Sequence, residues 1–532
     1  LFRGLHVVGT LTLLSRVLGL VRDIGMAGLF GLGPVMDAFT IAFRIPNLAR
    51  RLFGEGALSA TFVPLFAREL EHADRASAWQ LASAVFSLLT VALTGAVLVG
   101  EVGLIIAGRL LDLEPDTQLL LCLTAIMLPY LVLICLASQV SAVLNVLGNF
   151  TWPAAAPVVL NVVWIAGVWW LAPLFSPPDS QARILAGSIV LAGLLQVGVQ
   201  GPALWRFGFR FTPGWRAAWP RVWEMLQALV PIVLGLSITQ VNTVVDSLIA
   251  WGFSQPFGAP EARLSWLGSV AYPMQAGAVS ALYYGERMYQ FPLGVFGVTL
   301  GTVLFPLLAR HAARGEMDRL RQDLTLGLKL VIAIGVPASA SLVYLAQPIS
   351  VALLEHGAFQ AADTLRAAGT TAVYGSGVWA YCGLLILQRG FYAVGDRMTP
   401  LRIGVLAVGL NFVLNLLLIW PLAEQGLALS TVLCATLQVV ALVWCLQQRI
   451  GRLAWKEIGG SACRTLGATA AMSAAGMSVL AWQATFPPLA GRLAMLLLPC
   501  AVSVLTFLIA AKVMRLDEFW LLFRRGRNQE QD

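Results

Sequence analysis

Residues 117–147 read TQLLLCLTAIMLPYLVLICLASQVSAVLNVL, thirty-one positions without a charged side chain. A hydrocarbon core of about 30 Å is crossed by about 20 residues of α-helix, so this run is long enough to span a bilayer. Its apolar residues are continuous rather than alternating, which excludes a barrel strand. Working outward, similar runs occupy 5–31, 36–67, 78–108, 152–173, 183–206, 222–254, 278–309, 319–354, 364–394, 399–421, 424–448, 460–483 and 489–514. The expected fold is therefore all-α and polytopic, with fourteen transmembrane helices. The first run is too long for a signal-peptide core and lacks a small-residue cleavage site, so it counts as a span.

Composition agrees. Of 532 residues, 58% are hydrophobic and 12% charged, about half the charge of a soluble domain, which is near 25%. That excludes a water-soluble enzyme, a disordered chain and a nucleic-acid binder. The seven cysteines lie scattered in apolar stretches without a CxxC pair, and read as small packing residues. The net charge of +8 is explained by orientation. With the N-terminus in the cytoplasm and sides alternating, 22 of the 35 Lys and Arg fall on the cytoplasmic side and five (Arg109, Arg183, Arg263, Arg366, Arg492) in outer loops. This asymmetry places both termini in the cytoplasm.

The chain repeats itself. Val63-Pro64-Leu65-Phe66-Ala67-Arg68 is echoed 242 residues later by Phe305-Pro306-Leu307-Leu308-Ala309-Arg310. Val146-Leu147-Gly148-Asn149 leading to Pro153 is echoed 247 residues later by Ala393-Val394-Gly395-Asp396 leading to Pro400. The expected organisation is two six-helix lobes, 1–210 and 211–450, followed by residues 451–532 with spans 13 and 14 and a cytoplasmic tail. Parallel repeats of this kind place a substrate path between the lobes.

Ionisable groups within a bilayer cost about 2.5–3.5 kcal/mol or more each unless paired or hydrated. Here they concentrate on three spans: Arg16, Arg22 and Asp23 on the first, Asp37, Arg44, Arg50, Arg51 and Glu55 on the second, Glu286 and Arg287 on the eighth. Thr12, Arg16, Gly19 and Asp23 share one helical face, as do Arg44, Asn47, Arg51 and Glu55. In span 8, Gly294, Gly297 and Gly301 form a small-residue seam after Arg287. Buried ion pairs such as Arg22–Asp23 and Arg51–Glu55, and end-of-span snorkelling by Arg389, Lys329 and Arg44, account for part of this charge. A surplus of two cations is left over, which points to a hydrated cationic cavity whose ligand is an anion. Guanidinium donates bidentately to phosphate, although with 32 Arg against three Lys the residue type says less than its position and net sign.

These same residues carry a family resemblance. Ser15-Arg16-Val17-Leu18-Gly19 with Arg22-Asp23 is similar to the opening helix of the MurJ (MviN) lipid II flippases. Asp37-Ala38-Phe39, Phe43-Arg44-Ile45-Pro46-Asn47-Leu48, Arg50-Arg51-Leu52-Phe53 and Glu55-Gly56-Ala57 resemble their second helix. Tyr283-Tyr284, Glu286-Arg287 and Phe291-Pro292 resemble the eighth, and Gly390-Phe391-Tyr392, Asp396 and Thr399-Pro400 a link in the second half. The resemblance runs nearly end to end and implies the fold of the MOP exporter superfamily. It implies a transporter rather than an enzyme, in the bacterial inner membrane, moving lipid II to the outer leaflet for peptidoglycan synthesis, cell-wall biogenesis and cell shape. Lipid II is undecaprenyl pyrophosphate bearing a disaccharide-pentapeptide. Arg16, Arg50 and Arg287 match the family's cavity arginines, with Arg22, Asp23, Asp37, Asn47, Arg51, Glu55 and Glu286 as further substrate-site matches. Gln290 stands where some members have Glu, and the loop at 255–278 is longer than in the members compared. Spans 13 and 14 suit an apolar groove for the lipid tail or plain lipid-facing surface. Membrane lipids and cell-wall synthesis proteins are the other expected partners.

No phosphate-binding loop is present, since no Lys follows a Gly anywhere in the chain, and no nucleophile–base constellation stands out. No cofactor is expected beyond a coupling ion, with sodium the candidate. Asp246, Asn411, Asn415 and Thr431 supply the oxygen ligands such an ion takes, the alternative being interhelical hydrogen bonds. Rival functions are an ion-coupled multidrug or metabolite antiporter, a flippase of another polyprenyl-linked oligosaccharide, or a structural membrane protein. A cation exporter calls for an acidic cavity, and the charge here is basic.

Overall fold

The computed structural model describes residues 2–54, 57–72, 74–212, 215–256, 258–259, 261–264, 267–485 and 491–521. Eighteen α-helices occur among them. They are α1 (Phe2–Phe30), α2 (Pro34–Ala49), α3 (Ala57–His72), α4 (Arg75–Leu110), α5 (Pro115–Val146), α6 (Thr151–Ala166), α7 (Pro178–Arg206), α8 (Trp215–Gly252) and α9 (Ala278–Pro292). The rest are α10 (Val298–Ala313), α11 (Met317–Leu353), α12 (Ala361–Ser376), α13 (Val378–Ala393), α14 (Met398–Leu422), α15 (Glu424–Ile450), α16 (Trp455–Thr485), α17 (Arg492–Val513) and α18 (Asp517–Leu521). Each apolar run is helical over most of its described residues, and eleven helical stretches among the described residues are long and apolar enough to cross a membrane. The chain is a multi-pass membrane protein.

Four runs are less regular than continuous spans. In run 152–173, α6 passes into a π turn at Gly167–Leu171 and then a 3-10 turn at Ala172–Leu174. Run 36–67 is interrupted: α2 ends at Ala49, a π-helical turn covers Arg50–Gly54, and α3 begins at Ala57. Pro46 prepares the break by removing the N–H that would bond the preceding turn. Run 278–309 holds a π turn at Leu293–Gly297, directly after Pro292. The π turns of runs 36–67 and 278–309 are 243 residues apart, and the prolines that follow them, Pro64 and Pro306, are 242 apart. Run 364–394 divides at Gly377 into α12 and α13. A two-residue-per-strand hairpin, Arg263–Leu264 (β1) against Val270–Ala271 (β2), lies in the long loop before α9, so the fold is not purely helical.

The repeated links are built alike. After α5, Leu147 N donates to Val143 O and Asn149 N to Leu144 O, with Gly148 at φ 78°. After α13, Val394 N donates to Gly390 O and Asp396 N to Phe391 O, with Gly395 at φ 80°. Both are left-handed caps that glycine adopts without steric penalty.

By packing, the chain falls into two units: Leu1–Val279 with His356–Phe359, and Ser280–Glu355 with Gln360–Asp532. The first unit includes α8, which packs on α2, α3 and α4. In the first unit, buried amides tie α5, α6 and α7 together: Gln196 Nε2 donates to Ala156 O and Gln200 Nε2 to Ala137 O. Such bonds hold helices where lipid offers no hydrophobic drive for association. The second unit centres on an aliphatic cluster that includes Leu304, Leu324, Ile386, Phe391 and Leu446. There α16 and α17 pack against α11 through Ala468, Met472, Phe507 and Tyr344.

Candidate functional site

The intramembrane charges of the first unit divide into committed and open groups. Arg22 is committed and only 6% exposed. Its Nη2 lies 2.7 Å from Asp23 Oδ1, its Nη1 donates to Asn161 Oδ1 at 3.1 Å, and its guanidinium carbon sits 4.3 Å from the Trp164 ring centroid. Acid, amide and aromatic face together offset the cost of burying this cation. Trp164 continues into an aromatic group with Phe43 at 4.8 Å and Phe39 at 5.6 Å between centroids. The expected Arg22–Asp23 pair is present, and Asn161 and Trp164 are partners that motif reading did not find. The signal for Asn161 was its being a lone amide in an otherwise apolar run.

Arg16 differs. It is exposed, and it makes no hydrogen bond or ion pair among the described residues. At about 1.5 Å per residue it lies about 16 Å along the helix from Leu5, too deep for easy escape to an interface.

On α2, Arg44 donates through Nη1 to Thr243 O at 2.7 Å and to Ser247 Oγ, both on α8. It is a helix tie rather than a snorkelling side chain. Arg50 donates to Asn47 Oδ1 at 2.9 Å and Arg51 to Gln240 Oε1 at 2.9 Å, amide acceptors that orient each guanidinium. The π turn replaces the single stripe expected for Arg44, Asn47, Arg51 and Glu55, since its extra residue shifts the helical register. Glu55 lies outside the described residues. Asp37 is 2% exposed and its Oδ2 accepts from Gly277 N at 2.9 Å, which anchors the N-terminal end of α2 to the loop before α9. A pocket of about 180 Å³ beside it is lined by Glu114, Asp116 and Tyr272 as well as Asp37. Burial, and then the Glu114 carboxylate, push the Tyr272 phenol above its ordinary pKa.

In the second unit, Arg287 donates to Tyr283 Oη at 3.1 Å and Gln290 Oε1 at 3.3 Å, with its guanidinium 4.8 Å from the Tyr283 ring centroid. Gln290 Nε2 in turn donates to Glu286 Oε1 at 3.0 Å. Gln290 thus bridges the acid and the base of this helix. Of the glycine seam, Gly297 lies close enough to α13 that a Cβ would come within 3.0 Å of Cys382 Sγ, and Gly301 faces Arg389.

The oxygen set expected for a cation divides between the units. Asp246, in the first, accepts from Asn242 Nδ2 at 3.2 Å. In the second, Asn415 Nδ2 donates to Asn411 Oδ1 at 3.0 Å, Asn411 Nδ2 reaches Ser430 Oγ at 3.2 Å and Thr431 Oγ1 at 3.5 Å, and Ser430 Oγ donates to Asn415 Oδ1. Asn411, Asn415 and Thr431 are therefore joined by hydrogen bonds among themselves and with Ser430, which lone-residue reading missed.

Comparison with known proteins bears on this arrangement. The family model described as lipid II flippase MurJ matches residues 26–489. A probable lipid II flippase MurJ of Vibrio cholerae serotype O1 is 34% identical over 448 residues, 82% of this chain and 81% of that protein. A solved structure of lipid II flippase MurJ in an inward closed conformation shares the fold at a TM-score of 0.76 and 22% identity, covering 97% of this chain and 99% of that one. An inward-facing multidrug resistance MATE transporter of the MOP superfamily follows at a TM-score of 0.65 and 13% identity, covering 85% of this chain and 98% of that one. With a family match over most of its length and a third of its aligned residues identical in a relative, the chain belongs to the MurJ lipid II flippase family.

Proposed function

We propose that this protein carries the head group of lipid II from the inner to the outer leaflet by alternating access, through a hydrated cationic cavity served by Arg16, Arg50 and Arg287. Fourteen membrane spans, with both termini in the cytoplasm as the Lys and Arg distribution requires, complete the proposal. The family supplies the substrate class, and the observation that carries the cavity is Arg16. An uncommitted guanidinium deep in an apolar helix is stable only where water or an anion reaches it. Orientation of Arg50 by Asn47 and of Arg287 by Tyr283 and Gln290 supports the same reading. The pyrophosphate is met by donors, while the polyprenyl tail stays in lipid.

The test is rescue of a flippase-depleted bacterium. Arg16→Ala, Arg50→Ala and Arg287→Ala should each abolish growth while the protein still inserts, and normal growth with all three would remove the cavity. Sodium held by Asp246, Asn411, Asn415 and Thr431 is the proposed coupling ion, supported by their oxygen-only ligands and one carboxylate. Transport by Asp246→Asn should lose its response to sodium, and an unchanged response would dismiss the ion.

A further inference from the structure

One amide contacts three successive positions on a single face of the first helix. Asn161 on α6 is 6% exposed. Its Nδ2 donates to the backbone carbonyl of Ser15 at 2.9 Å and to Ser15 Oγ at 3.2 Å. Its Oδ1 accepts from Arg22 at 3.1 Å. Between them, a Cβ on Gly19 would lie 3.8 Å from Asn161 Nδ2, so this residue passes over the amide at contact distance. Positions 15, 19 and 22 are spaced i, i+4, i+7, one side of a helix with 3.6 residues per turn.

Pinning that side fixes the rotation of α1. Arg16 follows Ser15 by about 100°, on the same flank as Thr12 and Asp23, and is turned off the α6 contact. Farther round lie Leu13, Val17 and Leu20, which are 63%, 51% and 40% exposed and suit lipid. The Arg16 direction is thus held between a hydrogen-bonded face and an apolar face. A rotation of one residue step would carry the guanidinium either onto α6 or into the acyl chains. The opposing contacts that could hold the setting differ in kind. Trp164, Val168 and Trp169 bear on α1 at Arg22, Gly25 and Met26, toward its C-terminal end, whereas Asn161 also reaches Ser15.

We propose that Asn161 is the positioning residue for Arg16: by clamping Ser15 and Arg22 it sets the turn of α1 at which Arg16 meets the anionic head group. This rests on the flippase reading above. Neither the motif carrying the family resemblance nor the substrate-site residues of that motif include Asn161.

The experiment measures the affinity of the purified full chain for lipid II in four forms: the parent, Arg16→Ala, Asn161→Ala and the double variant, each confirmed to be inserted and monodisperse. Asn161→Asp runs alongside. It keeps the size of the side chain and an acceptor for Arg22, and exchanges the donor to Ser15 for a carboxylate oxygen and its charge. Arg16→Ala should weaken binding about tenfold or more, the value of one charge-assisted hydrogen bond. Asn161→Ala and Asn161→Asp should each approach that loss, and the double variant should bind no more weakly than Arg16→Ala. Unchanged binding by both Asn161 variants overturns the proposal. So does a double variant that loses the product of the two single effects, which would show Asn161 acting on the fold independently of Arg16. Should Arg16→Ala itself bind as the parent does, it is the cavity reading that fails.

Discussion

The second helix of each half breaks at a corresponding place, and the two breaks are filled differently. In the first half the π turn is Arg50-Arg51-Leu52-Phe53-Gly54, and its Phe53 carbonyl accepts from Gln139 Nε2 of α5 at 3.1 Å. In the second it is Leu293-Gly294-Val295-Phe296-Gly297, and Gly297 packs on Cys382 of α13. Gln139 and Cys382 are themselves 243 residues apart, the same interval as the π turns. One backbone device, repeated, is satisfied by a hydrogen bond in one half and by close packing in the other. Charge follows this difference. Arg50 and Arg51 lie within the first turn, while Glu286 and Arg287 precede the second. The duplication therefore retains backbone geometry, and side chains distribute the work within it.

The comparison is broken most severely by removing the extra residue. Deleting Phe53, or separately Val295, lets the turn close as ordinary α-helix, which absorbs the missing residue and leaves the helix beyond in its orientation. In the first half Phe62 and Phe66, both fully buried, keep their contacts, and what is lost is the turn itself. Both deletions should abolish rescue of a flippase-depleted strain. Growth with either one would show that its half does not require the π turn.

A smaller change sharpens the difference between the halves. Gln139→Leu removes the partner of the Phe53 carbonyl in a site with no exposure. A buried carbonyl left unsatisfied costs about 1–3 kcal/mol, read as a lower thermal midpoint of the purified protein. Cys382→Ala removes only a packing contact beside Gly297, and should cost less. Equal losses would contradict the assignment of hydrogen bonding to one half and packing to the other.

What the sequence could disclose follows from the solvent. Lipid demands continuous apolar runs, so the helices lie within a few residues of the runs that predict them, as at 117–147 against Pro115–Val146. Intramembrane Arg and Asp are costly enough to stand out singly, which is why Arg16, Arg50 and Arg287 were visible. The π turns were not, because one extra residue in a helix leaves the composition of the run unchanged. Neutral partners were equally silent: Asn161, Gln139 and Ser430 resemble any polar residue in a span until the helix they bond to is known.

The smallest expected effect separates the two repeated links, where the chemistry differs by a single charge. Asp396 Oδ1 accepts from the backbone N–H groups of Met398 and Thr399, both at 3.0 Å, and its Oδ2 lies 2.8 Å from Arg449 Nη2. Burial raises the pKa of this carboxyl, but the Thr399 and Met398 hydrogen bonds and the Arg449 charge outweigh it and hold the group below the ordinary Asp range. A carboxylate with a depressed pKa stabilises the fold in its ionised form. That stability is fully present above the unfolded value, near 3.9, and is lost as pH falls through the lower folded value. Asn149, at the corresponding place in the first half, has nothing to titrate. Asp396→Asn, which gives the second link the first link's side chain, should therefore lower stability at neutral pH by about 0.5–1 kcal/mol, the range of a partly exposed ion pair with a helix cap. The deficit relative to the parent should shrink below about pH 4, as the parent carboxylate protonates. A deficit of constant size from pH 7 to pH 3 would mean that the Asp396 charge contributes nothing, and that the two links are held by the glycine cap alone.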